Sequence, residues 1–161
     1  MPLIVQPPVS PYRGLRTIDD YGAGGFGAPR RAGIQQYKHK GLDFLAEPGD
    51  VVVAPITGNI VHIGIAYPGS DLGSIHIVGS DEFADLKVKL LYGLRLESLA
   101  VGSVVTAGEQ IATAQDVKHY HERQGGSSRM MNHIHMELYR NSILVNPQHW
   151  TNIPRDPEVT A

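Results

Sequence analysis

The sequence predicts an all-β domain of antiparallel strands, and three observations lead there. Short apolar runs rich in Val and Ile recur between turn residues, as in Val51-Val52-Val53 and Ile60-Val61-His62-Ile63. Glycine (18) and proline (11) interrupt the chain often enough to keep those runs short. Few segments hold a 3.6-residue apolar period, so helices would have little to bury. At 161 residues the chain is the size of one domain and can bury roughly 70% of its unfolded surface.

Composition narrows the function classes. A formal net charge of -2 gives no electrostatic footprint for nucleic acid. No apolar run approaches the ~20 residues of a membrane span, so no membrane partner is expected. The start, Met1-Pro2-Leu3-Ile4-Val5-Gln6-Pro7-Pro8, lacks the basic region and apolar core of a signal peptide. The expectation is a chain that stays inside, leaves without a cleavable leader, or has had a leader removed. Zero cysteines exclude disulfides and thiolate metal sites, leaving His, Asp and Glu as metal ligands. Oligomeric state leaves no readable mark.

In chain order, residues 1–17 are expected to form an extended, weakly packed proline-rich arm. A domain then runs from 18 to 152, with a tail over 153–161. Asp20 to Arg30 is too glycine-rich for a regular element and reads as a coil bordering a cleft. No Gly-Lys-Ser/Thr ending follows it, which argues against a phosphate loop. In Tyr37-Lys38-His39-Lys40-Gly41-Leu42-Asp43-Phe44, Gly41 allows a sharp backbone course between His39 and Asp43. Val51–Val53 leads through Thr57-Gly58-Asn59 into Ile60–Ile65, a strand–turn–strand unit. Ser74–Val78 and Leu86–Tyr92 are further strands. Leu99–Ile111 has two glycine turns and reads as a hairpin-like stretch at a sheet edge. Residues 115–131 form a long loop carrying His119, His121 and Arg129, placed to cover a site. A final short strand is expected at Ile143–Val145.

Asn132-His133-Ile134-His135-Met136-Glu137-Leu138 reads as a strand with both imidazoles on one side, because side chains alternate faces. With His39 and Asp43 the chain offers two imidazoles and a carboxylate for a metal, with one imidazole left over. His62 and His76 are expected as packed or surface histidines. His149 beside Trp150 reads as structural, and Arg30 as a solvated side chain.

The order of these parts resembles the lysostaphin/LytM-type zinc endopeptidases that cut peptidoglycan peptides. The matching pieces are His39-x-x-x-Asp43, Glu47 to Pro55, Thr57 to Val61, Gly102 to Ile111, His133-x-His135 with Glu137, and Asn146-Pro147. They span residues 20 to 150. The resemblance implies a lysostaphin-like (duplicated hybrid motif) β domain holding one Zn2+ through His39, Asp43 and His135. It makes His133 the unligated general base and peptidoglycan peptide the substrate.

One departure stands out. Family members carry a Tyr-x-His-Leu strand whose histidine steadies the oxyanion, and here Leu91-Tyr92-Gly93-Leu94 puts Gly93 at that place. Removing such a donor costs about 10²–10³ in rate. His119, His121, Tyr37 and Tyr92 are the candidate replacements. Val88-Lys89-Leu90-Leu91-Tyr92 and Asp20-Tyr21-Gly22 also resemble the leukocyte cell-derived chemotaxin branch, regarded as binding proteins. Two readings follow: a zinc endopeptidase, or a catalytically silent zinc domain binding cell-wall peptide or a protein partner. Without a leader, the wall would be reached through a phage lysis system or a non-classical secretion route.

Overall fold

A computed structural model of the chain describes residues 4–19, 21–32, 35–126 and 129–153. Asp20, the first three residues of the expected arm and the expected tail beyond Ile153 lie outside them. In order the strands are β1 (Val9–Ser10), β2 (Ile18–Asp19), β3 (Gly22–Ala23), β4 (Pro29–Ala32), β5 (Gln35–Lys38), β6 (Leu42–Leu45), β7 (Val51–Val53) and β8 (Gly58–Ile65). They continue as β9 (Gly73–Gly79), β10 (Leu86–Leu91), β11 (Gly93–Arg95), β12 (Val104–Val105), β13 (Gln110–Ala114), β14 (His133–Arg140) and β15 (Ile143–Val145). Among the described residues one α-helix, α1 (Val117–Arg123), lies between β13 and β14. Every ladder between these strands is antiparallel, as expected of the all-β class.

Seven strands make the main sheet, in the order β12-β8-β9-β10-β14-β15, with β6 also paired to β14. Strands β6 and β15 share one edge of β14: β6 covers His133–Met136 and β15 covers Leu138–Arg140. A second sheet, β1-β7-β13-β11, stands apart from it. The core includes Ile75, Ile77, Val88, Leu90, Ile134, Met136 and Leu138 of the main sheet and Val52, Ile111 and Ala112 of the second, all at most 2% exposed. The period-2 alternation then sends His76, Lys89, His135 and Glu137 to the opposite face of the main sheet. The site is built on that face.

Four expectations change. Val5 and Val9 of the supposed arm are 0% and 2% exposed, and β1 pairs with β7, so that segment is built into the core rather than weakly packed. The glycine-rich stretch is not plain coil: β2 pairs with β3, and β4 pairs with β5. Leu99–Ile111 is not a hairpin, because β12 joins the edge of the main sheet beside β8 while β13 enters the second. The long loop contains α1, whose Asp116 cap accepts from the His119 amide at 2.9 Å. Seven polar-rich residues are too few to show a helical period.

Candidate metal centre and groove

Register brings the first two candidates together. Asp43 on β6 lies directly opposite His135 on β14, and Phe44 lies opposite Ile134. The apolar pair turns into the core and the polar pair turns out. His39 follows β5, and its backbone extends the neighbouring ladder, its amide donating to the Ala28 carbonyl at 2.8 Å. Gly41 lets the loop pass over the site, since a Cβ there would lie 2.6 Å from the His135 ring.

Three ligand-type atoms converge. His39 Nε2 and His135 Nδ1 are 3.0 Å apart, Asp43 Oδ1 is 3.0 Å from His135 Nδ1, and it is 3.2 Å from His39 Nε2. Both histidines are fixed from behind. His39 Nδ1 donates to the Gly25 carbonyl at 2.9 Å, and His135 Nε2 donates to Glu137 Oε2 at 2.9 Å. Those acceptors can only accept, so the tautomers are set and the inner nitrogens present lone pairs to each other and to a carboxylate. Three acceptors this close call for a cation. The same cluster favours a proton on His135: burial pulls its imidazole down, but the hydrogen bonds to Asp43 and Glu137 raise it to about 9. Ligands about 2.0–2.2 Å from a tetrahedral ion stand ~3.3 Å apart, so the donor set and its spacing fit zinc.

Asp43 is held at its other oxygen by Arg16, whose Nη1 donates to Oδ2 at 2.9 Å. Arg16 also binds Asp19 through Nε and Nη2, at 3.0 and 2.7 Å. Burial works against the Asp43 charge, yet the nearby His133, His135 and His39 hold its carboxyl well below the usual carboxylate range. Arg16 was not singled out from sequence, because an arginine 27 residues away has no spacing signal. Arg30 is not solvated as expected: it lines the groove, donates to the Ala23 carbonyl at 2.6 Å, and stands 3.9 Å from Asp43 Oδ2.

His133 shares the face but not the cluster. Its Nδ1 donates to the Met131 carbonyl at 2.7 Å, which leaves Nε2 as an acceptor 3.6 Å from Asp43 Oδ2. Burial lowers it to about 4. The groove around these residues has a volume of about 1080 Å³.

The candidate donors separate. His119 is exposed and does not line the groove, whereas His121, two residues on and therefore ~200° round the helix, does. Tyr37 lines the rim and is 50% exposed. Tyr92 lines the groove from within, 5% exposed. Tyr67, not anticipated from sequence, lines it too, and its hydroxyl hydrogen-bonds that of Tyr92. His62 and His76 pack against each other on the sheet face, with ring centroids 4.3 Å apart and the rings tilted by 32°.

A sequence model of peptidase family M23 matches residues 37–147, more than half of the chain. The chain belongs to peptidase family M23. Over 51 residues this M23 chain is 45% identical to Myeloid protein 1 of Gallus gallus, covering 32% of the chain and 15% of that protein. Over 47 residues it is 47% identical to Leukocyte cell-derived chemotaxin-2 of Mus musculus, covering 29% of the chain and 28% of that protein. These matches span less than a third of either curated relative. Among solved structures, a zinc containing peptidase from Vibrio cholerae superposes with a TM-score of 0.64 at 19% identity, over 96% of this chain and 41% of that one. The catalytic domain of lysostaphin from Staphylococcus simulans gives 0.54 at 23% identity, over 78% and 86%. These structural likenesses establish the lysostaphin-like M23 fold.

Proposed function

We propose that this M23 chain is a zinc-dependent endopeptidase that hydrolyses a peptide bond in the stem peptides or cross-bridges of peptidoglycan. The observation that carries it is the convergence of three acceptor atoms within 3.2 Å of one another, each with its outward side already bonded. His39, Asp43 and His135 would hold the ion. A bound zinc acts as a Lewis acid and lowers the pKa of a water towards ~7.

The protein's own groups do the rest. Arg16 and Glu137 orient Asp43 and His135 so that their inner atoms stay aimed at the centre. His133, kept neutral by burial and by its Nδ1 bond to Met131, presents Nε2 to take a proton from the attacking water. The same nitrogen then returns the proton to the leaving amine. Lys38, Lys40 and Arg30 line the groove and suit the free carboxylates of stem peptides. Membership of peptidase family M23 supports peptidoglycan as the substrate class.

The test is release of new amino groups from purified peptidoglycan by the zinc-loaded chain. His133→Ala should keep one zinc per chain while the rate falls about 10²–10⁴-fold. An unchanged digest with wild-type protein at high concentration would leave the silent zinc domain, binding wall peptide or a protein partner, as the better reading.

A further inference from the structure

Strand β11 opens at Gly93, the place where the resemblance led one to expect a histidine. A Cβ on Gly93 would meet Ala112 Cβ at 3.2 Å and Val52 Cγ1 at 3.9 Å, both in the core of the second sheet. A side chain at this position would therefore be directed away from the metal centre.

The turn occurs one residue earlier. Tyr92 has φ +81°, a left-handed region that a non-glycine residue rarely adopts and a genuine outlier for a bulky one. Leu91, paired with His135, already faces the groove, so plain alternation would send Tyr92 away from it. The left-handed residue breaks that alternation, and Tyr92 lines the groove instead. Its ring stands edge-on to His133 at 5.2 Å and lies 6.5 Å from His135.

Among the described residues the two hydroxyls, Tyr67 and Tyr92, are each other's hydrogen-bond partner. Tyr67 is fixed from two further sides. Its backbone closes a turn with Ser70, and its ring stacks on Tyr120 of α1 at 6.0 Å and 25°. Two hydroxyls carry two protons, and their mutual bond uses one. Tyr92 is 5% exposed and Tyr67 is half-buried at the groove wall, so the arrangement in which the deeper Tyr92 hydroxyl donates to Tyr67 leaves the Tyr67 proton for the groove.

We propose that the Tyr67 hydroxyl, positioned by Tyr92, donates the hydrogen bond that steadies the carbonyl oxygen of the scissile peptide as negative charge develops on it. This rests on the endopeptidase reading above. No proton is transferred: the O–H stays intact and only polarises. Burial, ahead of other influences, raises both hydroxyl pKa values, which keeps the pair protonated at neutral pH. His121 is the nearest rival, with Nε2 buried and unpartnered among the described residues. Because that Nε2 is buried and the ring is packed among Tyr21, Tyr67 and Tyr120, His121 presents no donor there to the groove and instead backs Tyr67.

The experiment compares wild type, Tyr67→Phe and Tyr92→Phe, each zinc-loaded. The probes are a stem peptide and its phosphinate analogue, whose tetrahedral PO2 group stands in for the attacked carbonyl. Tyr67→Phe should keep its zinc and KM while kcat and phosphinate affinity fall about 10²–10³-fold. Tyr92→Phe keeps the donor but loosens it, so kcat should fall about 10-fold at steady KM. Wild-type kcat and phosphinate affinity in folded, zinc-loaded Tyr67→Phe would overturn the inference and leave the endopeptidase reading standing. Should Tyr67→Phe fail to fold, an unchanged kcat in Tyr92→Phe overturns it. A wild-type chain that neither cuts the peptide nor binds the phosphinate would remove the endopeptidase reading itself.

Discussion

At the residue scale, Arg16 shows how one side chain ties a remote segment to the centre. Its guanidinium serves Asp19 with two bonds and Asp43 with a third, and its side chain is 1% exposed. Removing one partner from a buried charged set leaves the others uncompensated. Arg16→Met should therefore cost the metal-free chain about 3–5 kcal/mol in urea unfolding. Arg16→Lys should not restore it, because a point charge does not reproduce the three-bond fork. His76 carries a pH prediction. Burial first, then the charges of His62, Lys89 and Lys87, lower it to about 4, with Glu137 acting the other way. Above pH ~7 neither folded nor unfolded imidazole is charged, so His76 contributes no pH dependence there. As pH falls below ~6.5 the unfolded chain binds a proton that the native one refuses until about 4, and stability drops through that window. His76→Gln should flatten that part of the stability curve and leave the slope at pH 8 unchanged.

At the element scale, α1 is a short helix held by its cap. Asp116 accepts from the His119 amide at 2.9 Å and from Asn132 Nδ2 at 3.3 Å, while Asn132 Oδ1 accepts from the Lys118 amide at 2.9 Å. The cap thus ties the helix to the residue just before β14. Asp116→Ala should lower stability by about 1 kcal/mol, read as a shift in urea midpoint. Its effect should reach the groove, because Tyr120 of this helix stacks on Tyr67. Strand β14 was legible because apolar and imidazole residues alternate strictly along it. The helix was not, since Val117 and Tyr120 are too little periodicity to separate it from a loop.

At the scale of the molecule, the candidate metal centre joins parts distant in sequence: the loop after β5, the edge strand β6 and the central strand β14. An ion bound there crosslinks them only in the native state. Zinc at 100 times its Kd should add about 2.7 kcal/mol of stability, and a chelator should remove it. Thermal melts with and without zinc measure this. His39→Ala should abolish the difference, and a melt unaffected by zinc in wild type would count against the site. The N-terminal segment belongs to the same unit: the Arg16 amide donates to the Asp43 carbonyl at 2.9 Å, and that of Leu45 to the Gly14 carbonyl at 2.9 Å.

The sequence by itself determined the strand class, the shared face of His133 and His135, and the local His39-x-x-x-Asp43 pair. These depend on alternation and local spacing, which a linear chain displays. Only the tertiary structure decided that Arg16 backs Asp43, that the supposed arm fills the core, and that Tyr92 and Tyr67 occupy the flank where Gly93 offers nothing. Each of those depends on where separate strands come to lie side by side. The left-handed turn at Tyr92 in particular reverses the alternation on which any reading of the strand relies.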